Sequence, residues 1–230
     1  MSDVSRIGTA KEKSLHAALK VRYAGEAGTT EAQVGSYVCD AVREDGEIVE
    51  IQTGNFGSIE DKLSALVQGA RVRLVHPIAA LRFVEVRDPD GTLLRRRKSP
   101  RGGTEWDIFA ALIRAPRLPL MAGLSIELAL VEETELRVAD GKGSWRRKGV
   151  SVLDRRLDAV RDTILLSGAE DYRRYLPDAL GSEFTSKELA AAGPIRTELA
   201  RKALYVLCRI GLIAESGKRG RTKLYKRTKP

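Results

Sequence analysis

Asp40, Glu50 and Gln52 are the side chains whose types and spacing could do chemistry in this sequence. They fall in the stretch from Gly35 to Thr53, which reads as two short strands around a tight turn. Val34, Val38 and Val42 alternate with smaller or polar residues, Ile48, Val49 and Ile51 carry the second strand, and Asp45-Gly46 is the turn signal. Loop length decides where the acids point. A two-residue loop sets Asp40 opposite Ile51 and sends Asp40 and Glu50 to opposite sides. A three-residue loop, Glu44-Asp45-Gly46, puts Gly where a left-handed residue is wanted and pairs Arg43 with Glu47 and Asp40 with Glu50. On that register the paired Cβ atoms stand roughly 5 Å apart, and Gln52 shares their face. Two carboxylates so placed repel unless something positive lies between them. An oxygen-loving divalent ion, Mg2+ (or Mn2+), is the economical answer.

Asp40, a hairpin, then Glu50-Ile51-Gln52 resembles the core of the PD-(D/E)XK nuclease superfamily. The Glu-x-Gln form is similar to the branch that includes the CoiA-type competence proteins, where an upstream Glu often begins the first strand; Glu31 matches it. The resemblance implies metal-dependent hydrolysis of phosphodiester bonds in DNA. Asp40 and Glu50 would hold Mg2+ with the main-chain carbonyl of Ile51, and Glu31 would add a further contact or a second ion. The family's usual Lys is replaced by Gln52, which orients water but brings no positive charge. Some members draw that Lys from the following helix, which makes Lys62 the candidate.

The flanking elements fit that order. Residues 10–24 read as a helix, with Leu15, Ala18, Leu19 and Arg22 on one face and Glu12, His16 and Tyr23 beside it. Glu12 or His16 either reaches the site or simply forms helical surface. After a Gly54–Gly57 loop, Ser58 is expected to cap a helix striped by Ile59, Leu63, Leu66 and Val67, with Lys62 at the stripe's edge. Arg71 to Ile78 reads as a strand ending near His76, and Leu81 to Arg87 as another. Asp88-Pro89-Asp90-Gly91 is a turn, and Thr92 begins a return strand. Arg95, Arg96, Arg97 and Lys98 form a basic loop suited to phosphate contacts. A helix over 105–114 and a strand over 124–132 follow.

Asp154 to Leu166 reads as an amphipathic helix through Leu157, Val160 and Ile164, and 169–176 as a short helix. Thr185-Ser-Lys-Glu188 is a capping box opening a helix to Ala192. Pro194 is expected to start a second helix running to about Ile210. A strand, the basic turn Ser216 to Arg221 and a return strand over 222–227 complete the chain. This resembles a winged helix-turn-helix. Arg201 and Tyr205 would enter a major groove, and Lys218, Arg219, Arg221 and Lys223 would contact phosphates.

Charge divides along the same line. Net charge is +9 over 230 residues, yet residues 1–145 carry 20 basic and 21 acidic side chains against 20 and 10 in residues 146–230. A neutral domain with a basic module attached is the footprint of a nucleic-acid binder. Two cysteines far apart, no secretory signal and no membrane-spanning run lead to the expectation of a reduced, cytoplasmic setting without membrane partners. No Walker-type phosphate loop, dinucleotide fingerprint or Gly-x-Ser-x-Gly motif is present. The expected fold is α/β (α+β): a restriction-endonuclease-like core, a mixed sheet flanked by helices, over 1–148, and a winged helix over 149–230. Double-stranded DNA is the expected partner, and pairing with itself or with a partner protein stays open. The alternative is a non-catalytic DNA-binding regulator with a degenerate nuclease-like domain.

Overall fold

The computed structural model describes residues 14–143, 145 and 149–228. Glu12, and the basic residues 146–148, lie outside them. The chain opens with helix α1 (Ser14–Ala24) and strands β1 (Thr29–Val34), β2 (Tyr37–Val42) and β3 (Ile48–Ile51). Helix α2 (Glu60–Leu66), strands β4 (Val72–Arg87) and β5 (Leu93–Lys98), helix α3 (Ile108–Leu112) and strands β6 (Leu124–Val138) and β7 (Ser151–Leu166) follow. These strands form one seven-stranded mixed sheet in the order β1-β2-β3-β4-β6-β7, with β5 paired to the second half of β4. Strands β1 to β3 form an antiparallel meander. β3, β4 and β6 run parallel, and α2 carries the crossover from β3 to β4. This is a mixed α+β architecture with a large sheet flanked by helices.

Helix α1 buries Leu15, Leu19 and Tyr23 against Ala41, Val49, Ile51, Val75, Ala129 and Val131 on one face of the sheet. Tyr23 is pinned there: its hydroxyl donates to Glu127 Oε1 at 2.5 Å, and Arg73 joins Glu127 and Glu47 at 2.7 and 2.9 Å. The other face, with Ile48, Leu74, Ile126 and Leu128, packs on α2 and α3. That core continues without a break into the C-terminal module. The module comprises a 3-10 turn (Ala169–Tyr175), β8 (Glu183–Phe184), α4 (Ser186–Ala192), α5 (Thr197–Arg209), β9 (Ile213–Arg219) and β10 (Thr222–Arg227). Its sheet has the order β8-β10-β9. The Thr185 capping box closes in both directions, with Glu188 N–H donating to Thr185 Oγ1 and Thr185 N–H to Glu188 Oε2. Among the described residues no helix is long and apolar enough to cross a membrane.

Several elements differ from their sequence reading. β1 is a strand of its own, joined to β2 over Gly35-Ser36, where Gly35 takes a φ of +58°. Val72–Arg87 is one long strand, because Ala80 is absorbed as a bulge against β6 and the strand passes through Pro77 without ending. Arg95 to Lys98 are therefore on strand β5 and not in a loop, all four exposed. The expected helix from Asp154 to Leu166 is strand β7, antiparallel to β6. Three register shifts skip Leu153, Asp158 and Arg161, so Leu157, Val160 and Ile164 fall at intervals of three and four that imitate a helix. Ser58 does not cap α2; it lies in a 3-10 turn (Phe56–Ser58) capped by Asn55. α5 begins at Thr197 and not at Pro194.

Candidate functional site

The open end of the β2–β3 ladder gathers the acids. Gly46 has a φ of +80°, Gly46 N–H donates to Arg43 O at 3.0 Å and Arg43 N–H to Glu47 O at 2.9 Å, as the three-residue loop requires. The paired residues are Ala41 with Val49 and Val42 with Ile48, which puts Asp40 level with Glu50. Pairing stops there. An unbroken ladder would carry Ile51 N–H to a β2 carbonyl, but it donates to Asp40 Oδ2 at 2.8 Å.

Asp40 reaches that position because β2 slips at it. Cys39 packs in the core under α2, and Ala41, two residues on, packs under α1, which a regular strand forbids. The β1–β2 ladder skips the same level, running from Thr30 with Ala41 to Ala32 with Cys39. Glu31, at the gap, adopts φ of +54°, a left-handed conformation that costs a Cβ-bearing residue energy.

The acids are consequently answered from opposite faces, whereas shared-face neighbours were expected. From α1, His16 Nε2 lies 3.4 Å from Asp40 Oδ2 and 3.1 Å from Ile51 O, and Lys20 Nζ lies 3.5 Å from Asp40 Oδ1. From α2, Lys62 Nζ lies 2.7 Å from Glu50 Oε1 and donates to Val38 O at 2.7 Å. Glu50 Oε1 is buried and has no well-aligned hydrogen-bond donor. Among the described residues Glu31 reaches the group only through Lys20, at 3.1 Å, and its carboxylate is largely exposed. Gln52 turns away: its amide donates to Asn55 O and Ser58 Oγ. Its carbonyl accepts from His76 Nδ1 at 2.6 Å.

The two carboxyls are pushed apart. Burial works to raise Asp40, but hydrogen bonds from His16 and Ile51 N–H and the charges of His16 and Lys20 outweigh it and hold Asp40 below the usual carboxylate range. Burial raises Glu50, Lys62 opposes it incompletely, and the charge on Asp40 adds to the rise. Burial also pushes the Cys39 thiol up to about 11, so it stays protonated at neutral pH. Lys20 is the residue that the sequence reading passed over. Its signal was the four-residue step from His16, which places both on one helical face.

Among the described residues no three His, Cys, Asp or Glu side chains gather where they could hold a metal ion. The oxygens of Asp40, Glu50 and Ile51 are nonetheless all hard donors of the kind Mg2+ takes. They fit such an ion by chemistry, with Lys62 and Lys20 now standing against them.

The C-terminal cations are partly spent within the chain. Arg201 is exposed on α5, and Tyr205, 40% exposed, lies under the Arg209 guanidinium at 5.2 Å. Arg219 pairs with Glu188 at 2.9 Å and Lys223 with Glu215 at 2.7 Å. Lys218 and Lys223 are direct cross-strand partners, and Arg221 is exposed in the connecting turn. On β5, Arg96 stacks over Phe83 at 4.2 Å and faces Glu85 at 3.4 Å; Arg95, Arg97 and Lys98 have no carboxylate within 4 Å among the described residues.

No solved structure matches the chain. An uncharacterized protein of Treponema pallidum (strain Nichols) is 31% identical over 224 residues, which span 97% of this chain and 88% of that protein. Residues 13–167, the stretch that holds α1 and the whole seven-stranded sheet, match one family over more than half the chain. The chain belongs to that family, described as a domain of unknown function, DUF8091.

Proposed function

We propose that the chain is a metal-dependent phosphodiesterase acting on DNA, built on a PD-(D/E)XK-like core and guided by a winged helix-turn-helix. The observation that carries this reading is the pair of carboxyls at the open ladder end. Their environments push their pKa values apart, and a Lys from the crossover helix lies against one of them. The β1-β2-β3 meander followed by a parallel α2 crossover to β4 supports the core assignment. The order β8, α4, α5, then the β9–β10 hairpin supports the reader assignment.

Asp40, held below the usual carboxylate range and fixed by Ile51 N–H, presents Oδ1 on the side of Lys20. Glu50 and the Ile51 carbonyl complete the oxygen set. Bound there, Mg2+ would polarise the scissile phosphate and lower the pKa of a bound water. Lys62 brings the positive charge that Gln52 lacks, held in place by Val38 O. Gln52 braces the Asn55–Ser58 turn, so its amide is not aimed at substrate. His16 lies between Asp40 and the adjoining cavity and is placed to pass a proton to a leaving oxygen.

The deciding experiment is cleavage of plasmid and linear DNA with Mg2+ or Mn2+. Metal-dependent cleavage lost in both Asp40→Ala and Glu50→Ala establishes the reading. One observation favours the regulator reading instead: each acid already has a Lys of the chain beside it, a self-satisfied arrangement. Salt-sensitive DNA binding without any cleavage would select it.

A further inference from the structure

A cavity of about 560 Å3 adjoins the acids. Its size falls within the roughly 300–1,000 Å3 span of small-ligand sites. α1 contributes Leu15 and His16, β4 contributes His76 to Ala79, and the segment before α3 contributes Arg101 and Asp107. His16 faces both this cavity and Asp40, so a group bound here is next to the proposed chemistry.

The segment carrying Arg101 is seated on the β4 bulge. Gly103 N–H donates to Ala79 O at 2.7 Å. A Cβ at Gly102 would fall 2.5 Å from Ala80 O, and one at Gly103 would fall 2.6 Å from Ile78 Cγ2. Only glycines allow this approach, and it holds Arg101 at the cavity wall. The other arginines of the wall are paired: Arg82 with Glu133 at 2.6 Å and Arg155 with Glu135 at 3.5 Å. Arg101 has no carboxylate within 4 Å among the described residues. Below it, the buried His76 gives its Nδ1 proton to Gln52 O, which leaves Nε2 as an acceptor. Leu15, Pro77 and Ile78 supply an apolar surface.

A guanidinium without an ion-pair partner among the described residues, one apolar patch, and acceptors on His76, Asp107 and Glu133 describe a ligand with an anion at one end and a flat body carrying donors. We propose that this cavity is a nucleotide pocket, taking one unstacked nucleotide of the substrate strand with its phosphate on Arg101. The proposal rests on the phosphodiesterase reading and narrows it: the substrate is a strand end or an unpaired base, because a continuous duplex does not enter a cavity of this size.

The test is calorimetric titration of the full chain, in EDTA, with dAMP, deoxyadenosine and inorganic phosphate separately. The expected result is saturable dAMP binding that weakens at least tenfold in Arg101→Ala and is unchanged in Arg117→Ala, an exposed position away from the cavity. Binding to Arg101→Ala as tight as to wild type, no dAMP binding, or inorganic phosphate binding as tightly as dAMP each overturns the proposal. Circular dichroism of Arg101→Ala verifies that the fold persists. DNA cleavage is scored on the same preparations. Cleavage without dAMP binding sinks the pocket alone. Arg101-dependent dAMP binding with no metal-dependent cleavage sinks the phosphodiesterase reading and keeps the nucleotide site.

Discussion

At the residue scale, the Glu50–Lys62 pair sets up opposite responses to two substitutions. Removing Lys62 as Lys62→Met leaves a buried carboxylate without its cation, and is expected to cost about 3 kcal/mol at neutral pH. Glu50→Gln removes the charge that burial penalises and is expected to stay within about 1 kcal/mol of wild type, while abolishing the proposed metal-dependent cleavage. The sign with pH follows. Glu50 has a folded pKa above its ordinary 4.5, so its ionisation costs the folded state as pH rises through that window. Without Lys62 the window widens, and the stability gap to wild type shrinks as pH is lowered toward 4.5; urea unfolding at pH 8 and pH 5 measures it. His76 acts the other way. Burial lowers its pKa below 6.5, so the unfolded chain takes a proton first and stability falls as pH drops below 6.5. In His76→Gln that slope should flatten. The Asp40–Glu50 level and the reach of Lys62 were legible in the sequence, because loop geometry and helix periodicity are local. The face from which each acid is served was not, because it depends on the slip at Asp40.

At the element scale, the strain at that slip is open to measurement. Glu31 holds φ of +54° in a strand, where Ala ordinarily outperforms Gly. Here the order should reverse, with Glu31→Gly more stable than Glu31→Ala by about 1 kcal/mol. The Lys20 ion pair lost in both contributes little, since the Glu31 side chain is 61% exposed. Equal melting temperatures, or Ala above Gly, would mean that the backbone there is not strained. The same physics explains which elements the sequence conceals. α1, α2 and α5 carry undisturbed periods, and the capping box at Thr185 announces α4 within four residues. β7 has its period broken by three skipped residues, and those skips are defined by β6, a partner distant in the chain. β4 conceals itself likewise, since the bulge at Ala80 imitates a gap between two strands.

At the scale of the whole molecule, the sheet and the C-terminal module share one core. Trp106, in the 3-10 turn before α3, and Phe109, in its first turn, pack edge-on against Tyr175, with ring centroids 5.0 and 4.8 Å away. A Cβ at Gly193 would fall 2.7 Å from the Trp106 ring. Gly193→Val is therefore expected to cost about 2 kcal/mol by overpacking. Thermal unfolding is expected to show a single transition by both fluorescence and circular dichroism. For the proposed DNA binding, Arg221→Ala should lower the salt slope by about one unit. Lys223→Ala should lower it less, since that ammonium is held by Glu215. Arg227 adds a clasp, its guanidinium donating to the carbonyls of Leu176, Pro177 and Leu180. One consequence concerns distance. With Trp106 wedged on Gly193 and one hydrophobic core running from the sheet into α5, the proposed reader and the proposed blade keep a constant separation. Breaks made by such a molecule would fall at one offset from the base step that anchors α5, like marks from a caliper locked at a single opening.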